Sequence, residues 1–164
     1  MGVPRCHHPR CVRGLAPARL PFYLFATELI SGPTGVIYLI ALGSMLRART
    51  RFDAPMLFIC ACFFNFLIGG FTGVFLSDVP SDFTLHASYF VQAHFHYTIM
   101  GGEVFALMAG IVYYLPKMTG VTMNVKQLKF QAWAVFLTFN GKFISLIAVG
   151  ILGMTRRVIS YAGY

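Results

Sequence analysis

Polar residues in this chain collect into short clusters, and the stretches between them are almost free of charge. Four apolar stretches stand out, at about 22–46, 55–76, 87–115 and 130–154. Each meets the requirement for a membrane-spanning helix, about 20 consecutive and mostly apolar residues. Arg47, Arg49 and Arg51 follow the first stretch, Asp78 and Asp82 separate the second from the third, and Lys117, Lys126 and Lys129 separate the third from the fourth. The connections are short, so sequential helices should be antiparallel neighbours. The expected fold is therefore all-α: a polytopic membrane bundle of four transmembrane helices. Excess Lys and Arg marks cytoplasmic loops, which places the two basic loops inside and the acidic loop outside. Arg156 and Arg157 then fall outside together with Arg10, Arg13 and Arg19. That runs against the rule and calls for anionic partners. Pro33, flanked by Gly32 and Gly35, is expected to kink the first helix. Gly69, Gly70 and Gly73 in the second helix, and Gly101, Gly102 and Gly110 in the third, allow close approach of a neighbouring backbone or a planar ligand.

Composition supports the membrane assignment. The chain is 57% hydrophobic and 11% charged, with a mean hydropathy of +0.70, too apolar for a soluble domain of this length. The net charge of +8 sits at loops and ends. It reads as a topology signal, and the interleaved bases and aromatics of a nucleic-acid groove are missing, so no nucleic-acid partner is expected. The four cysteines form no disulfide framework: Cys60 and Cys62 lie in an apolar run, where small thiols are ordinary. Cys6 and Cys11 bracket His7-His8 in a spacing that matches no common zinc module. Residues 1–20 form a basic, Pro-rich segment with a composition suited to disorder and no apolar run of signal-peptide length. Residues 21–158 form the membrane domain and 159–164 a tail.

The chemistry centres on His94-Phe95-His96 in the third stretch. Imidazoles inside a membrane are costly unless they have partners. On an α-helix, positions i and i+2 lie about 200° apart, so one helix can offer an axial nitrogen to a flat cofactor on each flank. Neutral imidazole is a normal axial ligand of haem iron. Two histidines hydrogen-bonded within a bundle would have the same spacing, and spacing alone leaves both readings open. His86 precedes His94 by eight residues, about 12 Å if the helix is continuous, which puts it at the outer mouth. Arg156 and Arg157 end the fourth helix on the same side. A guanidinium fork suits a carboxylate such as a haem propionate, and interfacial snorkelling is the alternative. Glu28, Glu103 and Lys142 lie within predicted helices, where such groups line proton paths or pair locally.

Four motifs resemble one family. F-L-I-G-G-F-T-G-V-F-L at 66–76, L-H-A-S-Y-F-V-Q-A-H-F-H-Y at 85–97 and G-M-T-R-R at 153–157 are similar, in order, to subunit I of the haem–copper terminal oxidases, and P-T-G-V at 33–36 fits the same pattern. The likeness is greatest to the cytochrome c oxidase branch and covers about 20–160, four consecutive late helices of a twelve-helix subunit. The resemblance implies two haems of unspecified type and copper. It makes His94 the proximal ligand of the high-spin haem, His96 an axial ligand of the low-spin haem, and Phe95 the residue between them. It makes Arg156, Arg157 and Asp82 neighbours of the haem propionates and His86 a residue near a magnesium ion.

Departures from the pattern limit what carries over. Ala87 stands where the family has an aspartate that helps bind magnesium, and Ile37 where a lysine feeds a proton channel, although Thr34 is kept. Thr155 replaces the proline of G-M-P-R-R. The family's other low-spin ligand and its first copper ligand belong to earlier helices that this sequence lacks. Its last two copper ligands are a His-His pair before the helix at 22–46. His7-His8 lies near that place but about one residue out of step, and stands equally as displaced copper ligands or as a tail with no metal role. The implied enzyme takes electrons from cytochrome c through a copper-bearing partner subunit, reduces oxygen to water and pumps protons across a bacterial plasma membrane. This chain alone is expected to be inactive. A quinol oxidase piece, a haem-only electron carrier and an inactive truncated product are the rival readings.

Overall fold

The computed structural model describes residues 20–157. The segment 1–19, with His7 and His8, and the tail from 158 lie outside the described residues. The described chain is helical throughout: α1 Leu20–Arg47, α2 Ala54–Ser77, a short α3 Val79–Leu85, α4 Tyr89–Thr98, a π-helical turn Ile99–Val104, α5 Phe105–Thr119 and α6 Val125–Ile151. α4, the π turn and α5 form one continuous span, Tyr89–Thr119, so four helical spans are long and apolar enough to cross a membrane.

Local chemistry sets the ends. Asp53 precedes α2, with Pro55 in its first turn, where a missing N–H costs nothing. α6 starts five residues before the expected position, because the Asn124 side chain accepts from the Lys126 N–H and caps the helix. α6 ends at Gly153 (φ +87°), a left-handed turn that glycine adopts without a Cβ penalty.

The core is a stripe on each helix. α2 buries Ala54, Phe58, Ala61, Asn65, Gly69 and Thr72 at helical three- and four-residue spacing. The third span answers with Ala93, Tyr97, Gly101, Phe105 and Ala109, each four residues after the last. Four α-helical residues overshoot one full turn by about 40°, so a line spaced this way drifts around the helix. The wider π turn takes back part of that drift and keeps both halves of the span facing the core. α6 contributes Ala132, Phe139, Asn140 and Phe143. α1 stands apart, its best apolar stretch having none of its residues buried. It is tied to α2 by Tyr38, whose hydroxyl donates to the Phe63 carbonyl at 3.0 Å and whose ring stacks on Phe66.

Candidate functional site

α4 lies between α2 and α6 and turns one histidine toward each. His94 faces α2: its Nδ1 is 3.0 Å from the Gly69 carbonyl and 3.0 Å from Thr72 Oγ1. The carbonyl can only accept, so Nδ1 carries the proton. Thr72 Oγ1 donates in turn to the carbonyls of Gly69 and Ile68. Gly73 makes room for this ring, because a Cβ there would stand 2.9 Å from His94 Cε1. His94 and Gly73 line a cleft of about 460 Å³ between α1 and α2, walled also by Thr34, Tyr38, Phe66 and Gly70. That size falls in the usual range of small-molecule sites, about 300–1,000 Å³.

His96 faces α6. Its Nδ1 donates to the Gln92 carbonyl at 2.7 Å, and its ring stacks on Phe143 with centroids 4.6 Å apart and planes 22° from parallel. Phe95, 39% exposed, projects between the two flanks with its ring 4.2 Å from that of His96. In both histidines a backbone carbonyl holds Nδ1–H and leaves Nε2 as the lone-pair nitrogen. Metal-ligating histidines are oriented in this way, with the second ring nitrogen donating to a carbonyl or carboxylate. On this evidence the two side chains fit axial ligation of two separate flat groups.

The cluster at the start of α4 forms through the glycine turn that follows α6. After Gly153 the chain folds back and pairs Thr155 with Ser88 in an isolated antiparallel bridge. The Tyr89 N–H donates to the Met154 carbonyl at 3.2 Å, and the Arg156 N–H to the Ala87 carbonyl at 3.0 Å. Arg156 and Arg157 are thereby carried to the turn that holds His86. His86 Nδ1 pairs with Asp82 Oδ1 at 2.9 Å. Among the described residues neither arginine forms a salt bridge with a carboxylate. His86 corrects one expectation: it caps the separate helix α3 and does not head the helix of His94, because the chain turns at Ala87–Ser88 before α4 begins. Its spacing from His94 is therefore not a helical rise.

Other expected groups are dispersed. Among the described residues no three of His, Cys, Asp and Glu come together to hold a metal ion. The Asp82–His86 pair alone does not complete a magnesium site, and the copper candidates His7 and His8 are outside the described residues. Glu28 and Glu103 are exposed on the bundle surface, and Lys142 Nζ lies 5.3 Å from the centre of the Phe143 ring. The structure also shows a buried polar network that the sequence reading did not anticipate. The Tyr97 hydroxyl donates to Asn140 Oδ1 at 3.1 Å, and Asn140 Nδ2 donates to Asn65 Oδ1 at 3.0 Å and to the Phe136 carbonyl at 2.9 Å. The signal for it was two asparagines inside apolar runs.

These features describe an integral membrane protein with two histidines facing opposite flanks of one helix. Residues 3–164 match the family described as cytochrome C and quinol oxidase polypeptide I. Cytochrome c oxidase subunit 1 of Corynebacterium glutamicum is 43% identical over 142 residues, 87% of this chain and 24% of the relative. The probable cytochrome c oxidase subunit 1-alpha of Streptomyces coelicolor is 40% identical over 155 residues, 94% of this chain and 26% of the relative. The probable quinol oxidase subunit 1 of Staphylococcus haemolyticus is 41% identical over 140 residues, 85% of this chain and 21% of the relative. The chain belongs to the haem–copper oxidase subunit I family and spans about a quarter of the length of these curated relatives.

Proposed function

We propose that this chain supplies the haem-ligating helices of a proton-pumping terminal oxidase that reduces oxygen to water in a bacterial plasma membrane. His94 would hold the high-spin haem, where oxygen binds, and His96 would hold the low-spin haem. The observation that carries this reading is the pair of imidazoles on opposite flanks of α4, each with Nδ1 bound to a backbone carbonyl and Nε2 left to ligate. When bound, the haems and copper pass electrons to oxygen, with potentials tuned by their ligands and surroundings.

The chain's own residues hold and orient. The Gly69 carbonyl and Thr72 fix the His94 ring beside the cleft, and the Gln92 carbonyl and Phe143 fix His96. Phe95 sets an apolar ring beside His96. Arg156 and Arg157, at one end with the Asp82–His86 pair, present guanidinium forks suited to propionates. His7 and His8 remain the candidates for copper, and no magnesium ion is assigned. With Ile37 on α1 in place of the family's lysine, the proton channel that lysine feeds is missing or rerouted, although Thr34 is kept. The other oxidase subunits, including the copper-bearing entry subunit, are the partners. Cytochrome c is the donor on this reading. Quinol is the second reading, supported by the Staphylococcus relative at 41% identity.

Carbon monoxide difference spectra of membranes holding the chain test the assignment. His94→Ala should abolish the carbon monoxide-sensitive band and leave a low-spin band. A carbon monoxide band that survives His94→Ala overturns it. Oxidation of reduced cytochrome c against a quinol, in the assembled enzyme, separates the donors.

A further inference from the structure

The network of Tyr97, Asn140 and Asn65 lies in the middle of the bundle, with Tyr97 and Asn65 fully buried and Asn140 only 8% exposed. Its orientation is determined. The Phe136 carbonyl can only accept, so the Asn140 nitrogen faces it and Asn65 Oδ1, and the Asn140 oxygen faces the Tyr97 hydroxyl. Tyr97 is next in sequence to His96, and Asn140 lies one helical turn before Phe143, the ring stacked on His96. We propose that Asn140 is a positioning residue for His96: by holding Tyr97 it locks α4 against α6 in the register at which Phe143 lies flat on the imidazole.

Apolar packing alone does not set that register. At the His96 level the other contacts between α4 and α6 are rings, including Phe139 and Phe143 against Tyr97, and such contacts are non-directional; the Tyr89–Met154 backbone bond and the Gly150–Phe90 approach fix the helices only at the start of α4. Hydrogen bonds in a low-dielectric core are directional, and the Tyr97–Asn140–Asn65 bonds join all three helices even though Asn65 Nδ2 has no hydrogen-bond partner among the described residues. The same three residues would make a poor proton path, since a side-chain amide does not readily exchange its proton along a chain. Positioning of a ligand ring matters because the groups around an axial ligand tune the metal it holds. The haem consequence rests on the function proposed above, whereas the ring geometry does not.

The test uses the full chain in bilayers, with wild type, Asn140→Leu and the milder Tyr97→Phe. Thr138→Val, whose hydroxyl bonds only within α6, is the control. In haem-free, histidine-labelled samples, the ring-current shift of His96 Hε1 is read by solid-state NMR and defined by its loss in Phe143→Leu. It should be lost in Asn140→Leu, reduced in Tyr97→Phe and kept in Thr138→Val. In haem-loaded samples assembled with the remaining oxidase helices, Asn140→Leu should move the low-spin band and its midpoint potential and leave the carbon monoxide band of the His94 site in place. An unchanged ring-current shift in both network variants overturns the proposal. If Asn140→Leu does not fold, Tyr97→Phe decides alone. Loss of the shift in samples that never bind haem upholds the positioning role and refutes the haem assignment.

Discussion

Gly150 is where α6 meets the start of α4, and Gly150→Ala tests how tightly the His86–Arg156 cluster depends on that contact. A Cβ at 150 would stand 2.7 Å from Phe90 Cα and 2.8 Å from Phe90 Cβ, with the Phe90 nitrogen closer still. Ordinary contact begins at 3.4 Å, so α4 must withdraw by at least 0.7 Å. The Tyr89–Met154 and Arg156–Ala87 backbone bonds, at 3.2 and 3.0 Å, cannot follow such a shift and stay within hydrogen-bond range. Overpacking costs about 1–3 kcal/mol and each lost hydrogen bond about 0.5–1.5 kcal/mol. Alanine in a helix returns about 0.5–1 kcal/mol relative to glycine, leaving a net destabilisation of about 1–5 kcal/mol. Denaturant titration in detergent micelles, followed by fluorescence of Trp133, the one tryptophan of the chain, measures it. Gly141→Ala is the comparison, because a Cβ there meets nothing within 4 Å and should be neutral or stabilising. Equal midpoints for the two variants would refute the close approach of α4 and α6.

Three further substitutions probe the site. Gly73→Ala should push the His94 ring off the Gly69 carbonyl and weaken carbon monoxide-reactive haem binding by about 2–10-fold, the equivalent of one hydrogen bond; haem titration with unchanged affinity would contradict it. Ser88→Ala removes the side chain that caps α4 by accepting from Phe90 N–H at 3.2 Å and should cost about 0.5–2 kcal/mol, read in the same denaturant titration; no change would mean the cap is idle. Asp82→Asn should cost at most about 1 kcal/mol, because the pair with His86 is solvent-screened; its effect should appear in the affinity of a propionate-bearing haem, and a large stability loss would show a deeper role.

Much of the fold was legible because membrane burial writes itself into composition: 20 or so apolar residues between charged clusters leave little else for the chain to do. What the sequence concealed has specific causes. Lys126, Gln127 and Lys129 made the first turns of α6 look like loop, although Asn124 was there to cap them. The apolar run from Leu85 hid the break between α3 and α4, whose signal was Ser88 as an N-cap. A π turn differs from an α turn only in which carbonyl each N–H meets, and Gly101-Gly102 alone does not declare it. That His94 and His96 face opposite flanks was legible through their spacing. Their orienting partners were not, because Gly69 lies 25 positions from His94 and offers only a backbone carbonyl. Asn65 and Asn140 are 75 positions apart, and pairing at that range is a property of the folded bundle.

The central claim is that one helix holds two haems, one on each flank. Haem content per chain, by pyridine haemochrome assay together with reduced spectra, tests it most directly across wild type, His94→Ala, His96→Ala and the double variant, each expressed with its partner subunits. Each single variant should lose a different spectral component, and the double variant should lose both. Loss of the same component in both single variants, or full haem content in the double variant, would contradict it.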